Sequence, residues 1–136
     1  MGEAKRERDL PSVAALAYLG DAVHSLDIRR RAVAAGHTKS GALHAFSSCR
    51  VNAAAQAGML ASLTPHLTEA EAALCRRAAN SKHLKPPKHA SAKDYQEATA
   101  FEALLGMLAY LGKEERLKEL LDASYQSYEG TKGELP

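Results

Sequence analysis

The chain has 136 residues, 46% hydrophobic and 25% charged, which is enough apolar material for one domain with a core, and no uncharged apolar run is long enough for a membrane span. A net charge of +2 announces no global affinity for nucleic acid, so charge matters only where it is unevenly placed. Abundant Ala with scarce Val, Ile and Phe and no Trp favours helices over sheets, and Cys49 and Cys75 form no C-x-x-C pair, which argues against a zinc site or a disulfide framework.

Residues 1–10 read as a polar, flexible N-terminus. Asp9 or Ser12 is placed to cap a first helix with Pro11 in its opening turn, running to about Ala35 and closed by Gly36. Thr38 or Ser40 is expected to start a second helix, carried through "LHAFSSCRVNAAAQAGML" by Leu43, Phe46, Val51, Ala54 and Leu60 at helical spacing. Thr68 with Glu71 gives a capping-box signature for a third helix, reaching about Ala79. Pro86-Pro87 in "SKHLKPPKHASA" then break the pattern. A long helix is expected from about Lys93 to Leu111, and after Gly112 "KEERLKELLDASYQSY" reads as a last amphipathic helix. No strand pattern competes. The expectation is an all-α domain over residues 11–127 with a flexible tail at 128–136.

The uneven charge lies in and around the Pro-rich loop. Arg76, Arg77, Lys82, Lys85, Lys88 and Lys93 follow one another there without an acid between Arg76 and Lys93, and His83 and His89 stand beside them. A solvated connector is one reading. The other is a phosphate-contacting loop, since Lys and Arg on an exposed segment reach a nucleic-acid backbone and release its counterions. With no aromatic side chains interleaved, recognition of a duplex by shape fits better than stacking on single-stranded bases.

Two acids are out of place. Glu102 in "ATAFEALLG" is the single charged side chain from Ala98 to Gly112, and Asp21 is the only carboxylate in "LPSVAALAYLGDAVHSL". A carboxylate withdrawn from water costs several kcal/mol, roughly, unless something compensates it, so each lies either on a narrow solvent-facing stripe or at a site that uses its charge. Gly20 precedes Asp21 and Gly106 follows Glu102 by one turn. Glycine inside a helix costs roughly 1 kcal/mol against alanine, which suggests close approach of another helix. Together the two acids suggest a cleft where carboxylates hold a divalent cation that works on a phosphodiester.

At these residues the sequence resembles a known family. "LAYLGDAV" (16–23) resembles the ribonuclease III signature, and "TAFEALLGML" (99–108) resembles its second acidic block. "VNAAAQA" (51–57), "RAANSK" (77–82), the step Pro87-Lys88 and "YQEATAFEALLG" (95–106) resemble the Mini-ribonuclease III branch, which has the catalytic domain without a double-stranded-RNA-binding domain. The resemblance runs from about Leu16 to Leu111 in order.

It implies a helical bundle forming a symmetric homodimer, with the signature helix at the interface and two acidic sites, each cutting one strand of an RNA duplex to leave 5′ phosphates. Asp21 and Glu102 would be both catalytic and metal ligands, for Mg²⁺ with Mn²⁺ able to stand in, and no nucleotide cofactor is expected. Arg76, Arg77, Asn80, Lys82, Lys85 and Lys88 would bind the RNA. The expected work is ribosomal RNA precursor maturation in the cytoplasm, away from membranes. The chain departs from the wider family at Ala17 and Thr99, where ribonuclease III generally has further carboxylates, and from the branch at Ala79, where an Arg is usual. A catalytically silent RNA-binding relative with a structural role is the alternative, and a plain helical interaction domain a more remote one. His24, one turn after Asp21, is open to reading as a ligand or general acid, or as a core or interface residue. Cys49 and Cys75 read as small core fillers, and Tyr18 as a residue of the dimer interface.

Overall fold

The computed structural model describes residues 9–81 and 91–134, and among them it contains only helices and their connections. Six α-helices follow in order: α1 Val13–Ala34, α2 Ser40–Val51, α3 Ala53–Leu63, α4 Glu69–Ala79, α5 Ala92–Tyr110 and α6 Glu114–Glu134, with a 3₁₀ turn at Thr64–His66. Lys82, Lys85, Lys88, His83, His89 and the Pro-Pro step lie outside the described residues.

Local chemistry sets most boundaries. Ser12 caps α1 by accepting from the Ala15 amide at 3.1 Å, so Pro11 stands just before the cap rather than inside the first turn. Gly36 and Gly112 have φ of 94° and 73°, the left-handed region that L side chains avoid, and each ends its helix with paired return bonds. Gly36 and His37 donate to the Val33 and Ala32 carbonyls, and Gly112 and Lys113 to those of Ala109 and Leu108. The capping box of α4 is present: Thr68 Oγ1 accepts from the Glu71 amide at 3.1 Å, and a Glu71 carboxylate oxygen accepts from the Thr68 amide at 2.9 Å.

The expected second helix is two helices. Asn52 is extended (φ −77°, ψ 163°), and its side chain serves both ends of the break. Its Nδ2 donates to the Ser48 and Cys49 carbonyls at 3.0 and 3.1 Å, closing α2, while its Oδ1 accepts from the Ala55 amide at 2.8 Å, opening α3. Neither Thr38 nor Ser40 caps α2, whose N-cap is Lys39 without a side-chain bond. Cys75 is buried, but Cys49 is exposed and fills no core space.

α5 is the centre of the bundle and packs against α1, α3, α4 and α6. Phe101, Leu104, Leu105 and Leu108 are fully buried along it, each contributing about 1.5–3 kcal/mol by leaving water. Arginine pairs fasten α6 around this core. Arg116 Nη2 donates to Glu71 at 2.7 Å and to the His66 carbonyl at 2.9 Å, and the guanidinium beside Glu71 holds that carboxyl below its usual range. Arg31 bridges Asp27 and Asp122 at 2.8 and 2.7 Å, and Arg50, itself buried, bonds Glu129 at 2.7 Å while stacking 3.7 Å over Phe46. Glu129 lies beyond Tyr128, where the sequence pattern ended the last helix; this anchor accompanies the continuation of α6 to Glu134, through most of the expected tail.

Candidate functional site

α1 and α5 meet backbone to backbone. A Cβ built on Gly20 would stand 1.6 Å from the Glu102 carbonyl oxygen, and one on Gly106 would stand 1.8 Å from the Leu16 carbonyl oxygen. The two glycines inferred to permit a close helix approach are therefore at one crossing, each facing the other helix. Because Asp21 follows Gly20 directly, the crossing brings the Asp21 carboxylate into hydrogen-bonding reach of Glu102.

Glu102 does not lie on a solvent-facing stripe. From Ala98 to Leu108 every residue of α5 is buried except Glu102, which is half-buried, whereas Asp21 is exposed. Burial, followed by the neighbouring Asp21 carboxylate, pushes the Glu102 carboxyl up to about 8. Without a cation Glu102 thus keeps its proton near neutral pH. Two hard oxygen donors set side by side at the edge of the protein fit a divalent cation such as Mg²⁺, which takes carboxylates and fills its remaining positions with water or phosphate oxygen. The set is small: among the described residues no cluster of three or more His, Cys, Asp or Glu forms a metal site. Ala17 offers no ligand, and the Thr99 hydroxyl is turned back to donate to the Tyr95 carbonyl at 2.9 Å.

Gln56 joins this site; it stands in "VNAAAQA", but nothing local marks it as a site residue. It is 3% exposed, on α3, with its Nε2 3.0 Å from Nδ1 of His24, which is 1% exposed. The Gln56 amide also faces Glu102 and favours its ionised form. The available signal was the kind that drew attention to Glu102: one polar side chain among small ones in "AAAQAG". His24 is a core residue, its ring edge-on to Phe101 at 5.0 Å, and burial lowers its pKa to about 4, so it is neutral at neutral pH.

The basic candidates are elsewhere. Arg76, Arg77 and Asn80 stand exposed at the C-terminal end of α4, but the two arginines diverge. Arg76 lines a groove with Leu60, Thr64, Glu97 and Ala100, whereas Arg77 borders Leu10, Ala73 and Met107. Glu102 lies about 200° around α5 from Ala100, so within this chain Arg76 is not beside the carboxylate pair. Cys75, in the same groove wall, is not a reactive thiol: burial pushes it up to about 12.

Among the described residues, no helix is long and apolar enough to cross a membrane. Comparison with known proteins agrees with this architecture. The Ribonuclease III domain family matches residues 14–113. The chain is 40% identical over 128 residues to a Mini-ribonuclease 3 of Brevibacillus brevis, covering 94% of this chain and 96% of that one. It is 42% identical over 109 residues to a Mini-ribonuclease 3 of Symbiobacterium thermophilum, covering 80% and 84%. A crystal structure of a Fusobacterium nucleatum protein superposes with a TM-score of 0.78 at 30% identity, over 96% of this chain and all of that one. With a matching domain over most of its length and such relatives along nearly all of it, the chain belongs to the ribonuclease III family, in its Mini-ribonuclease 3 branch.

Proposed function

We propose that the protein is a divalent-metal-dependent endoribonuclease that hydrolyses phosphodiesters of double-stranded RNA as a homodimer, with ribosomal RNA precursors as its substrates. The observation that carries the reading is the placement of Glu102, the one residue of a buried stretch of α5 left accessible, against Asp21 at the glycine crossing. Family membership supplies the reaction class: relatives named Mini-ribonuclease 3 act, by that name, on RNA.

Asp21 and Glu102 would hold Mg²⁺. When bound, the ion supplies Lewis-acid polarisation of the phosphoryl group and lowers the pKa of water. The chain's own part is to present two oxygens at fixed spacing. The backbone contact at Gly20 fixes how the Asp21-bearing turn of α1 sits on α5, and Glu102 would give up its proton to serve as a ligand. A dimer would use the apolar outer face of α1, where Tyr18, Leu26 and Val33 are 84%, 52% and 66% exposed. Arg76, Arg77, Asn80, Lys82, Lys85 and Lys88 are the proposed phosphate contacts, so affinity would come from backbone charge and specificity from duplex shape. The place of action on this reading is the cytoplasm.

Ala17 and Thr99, where the wider family has acids, favour a second reading, a silent RNA-binding domain. The test is to incubate the protein with structured duplex RNA, with Mg²⁺ or with a chelator, and to map the ends. Mg²⁺-dependent cleavage leaving 5′ phosphates supports the proposal; RNA binding without cleavage across divalent ions and salts supports the silent domain.

A further inference from the structure

A neutral amide buried in a hydrophobic bundle needs a reason. Gln56 points into the interface of α1, α3 and α5 instead of outward, and at 3% exposure its polar atoms must be satisfied there, since an unmet donor costs about 1–3 kcal/mol. A packing role alone would be filled as well by Leu or Met without that cost. The chain instead commits two buried polar side chains, because the partner of Gln56 is His24, 1% exposed, with its ring wedged edge-on against Phe101, the neighbour of Glu102.

The chemistry of the pair fixes its direction. A Gln side chain donates only through Nε2, and that nitrogen is 3.0 Å from His24 Nδ1. Being buried and neutral, the imidazole accepts at Nδ1, which leaves the second Nε2 hydrogen free for another acceptor. The acceptor this amide faces is the Glu102 carboxylate. The break at Asn52 makes this possible: it starts α3 afresh and sets Gln56 in its first turns.

We infer that Gln56 is a positioning residue for Glu102, its amide held by His24 so that it donates to the ionised Glu102 carboxylate and aims the free oxygen at a divalent cation. Support of this kind around a ligating carboxylate typically changes metal affinity or activity by about 10–100-fold. His24 acts only through Gln56: it carries no charge to the site and touches no substrate.

This inference rests on the proposed function, and the experiment separates the two. Binding of Mn²⁺ alone is measured without RNA in the wild type, Gln56→Met, which keeps volume but not the donor, His24→Phe, which keeps the aromatic contact but not the acceptor, and the double variant. Affinity for duplex RNA in chelator and the melting temperature are measured alongside. Gln56→Met should weaken Mn²⁺ binding by about 10–100-fold with RNA affinity in chelator unchanged. His24→Phe should weaken it by less, and the double variant no more than Gln56→Met, because one residue acts through the other. Unaltered Mn²⁺ affinity in Gln56→Met, or additive losses in the double variant, overturns the positioning role. Should Gln56→Met fail to fold, His24→Phe decides alone, and wild-type affinity in it overturns the inference. A wild type that binds no Mn²⁺ removes the metal site itself and the functional reading with it.

Discussion

Gly20 lies so close to Glu102 that a methyl group in its place would stand 1.6 Å from the Glu102 carbonyl oxygen. The obstacle is backbone, which has no rotamer to move aside, so α1 would have to lift off α5. Gly20→Ala and Gly106→Ala should each cost at least about 3 kcal/mol in denaturant unfolding, the upper part of the range for overpacking. Gly58 is the control. It is helical with nothing within 4 Å of its missing Cβ, and Gly58→Ala should be neutral or stabilising by up to about 1 kcal/mol. Equal effects at Gly20 and Gly58 would contradict the crossing.

The pH dependence of stability separates Glu102 from His24. With its pKa raised to about 8 from 4.5, Glu102 keeps a proton in the folded chain that the unfolded chain has lost, so it contributes stability that disappears as pH rises through this window. His24, lowered to about 4 from 6.5, does the reverse: its contribution is lost as pH falls from 6.5 towards 4. The two oppose each other below pH 6.5, and above it only the Glu102 slope remains of the pair. In chelator, melting temperature should fall from about pH 6.5 to 8, and Glu102→Gln should remove that fall. A wild-type profile with the same slope as Glu102→Gln would show that the Glu102 carboxyl is not raised in the folded chain.

How much of this was legible in the sequence follows from the range of the forces. Caps and stops are local, so Ser12, Gly36, the Thr68 and Glu71 box and Gly112 were readable. The crossing was readable too, because a glycine beside a lone acid in each of two apolar helices makes little physical sense unless a second helix packs closely there. Asn52 was not, since Ala54 and Leu60 continue the helical spacing across the break and an Asn that serves both ends looks like any polar residue. Arg50 reads as a solvated charge until Glu129, 79 residues away, and the Phe46 ring are placed around it. Gln56 and His24 meet across 32 residues, beyond the reach of any local pattern.

The proposed dimer depends on the outer face of α1. Tyr18→Asp with Leu26→Lys should turn a dimer into a monomer by light scattering while changing the melting temperature little, because both side chains are more than half exposed. A wild-type monomer at working concentrations, with cleavage undiminished on dilution, would count against dimerisation.

Docking should be separable from chemistry. Replacing Lys82, Lys85 and Lys88 by Ala should lower the slope of log affinity against log salt by roughly 0.7–0.9 for each phosphate no longer neutralised, if nucleic-acid slopes carry over to duplex RNA. The single-turnover rate at saturating RNA should change much less, since these are not metal ligands. An unchanged slope would make the segment a solvated connector.

The central claim is that Asp21 and Glu102 together hold the divalent ion on which cleavage depends. Its most direct test is single-turnover cleavage of one duplex RNA at saturating Mg²⁺ by the wild type, Asp21→Asn and Glu102→Gln, with RNA affinity measured in parallel. Each substitution keeps the shape and removes one ligand charge, so the account predicts a loss of at least about 1,000-fold in rate for either variant with RNA affinity largely retained. Wild-type rates in either variant would contradict it.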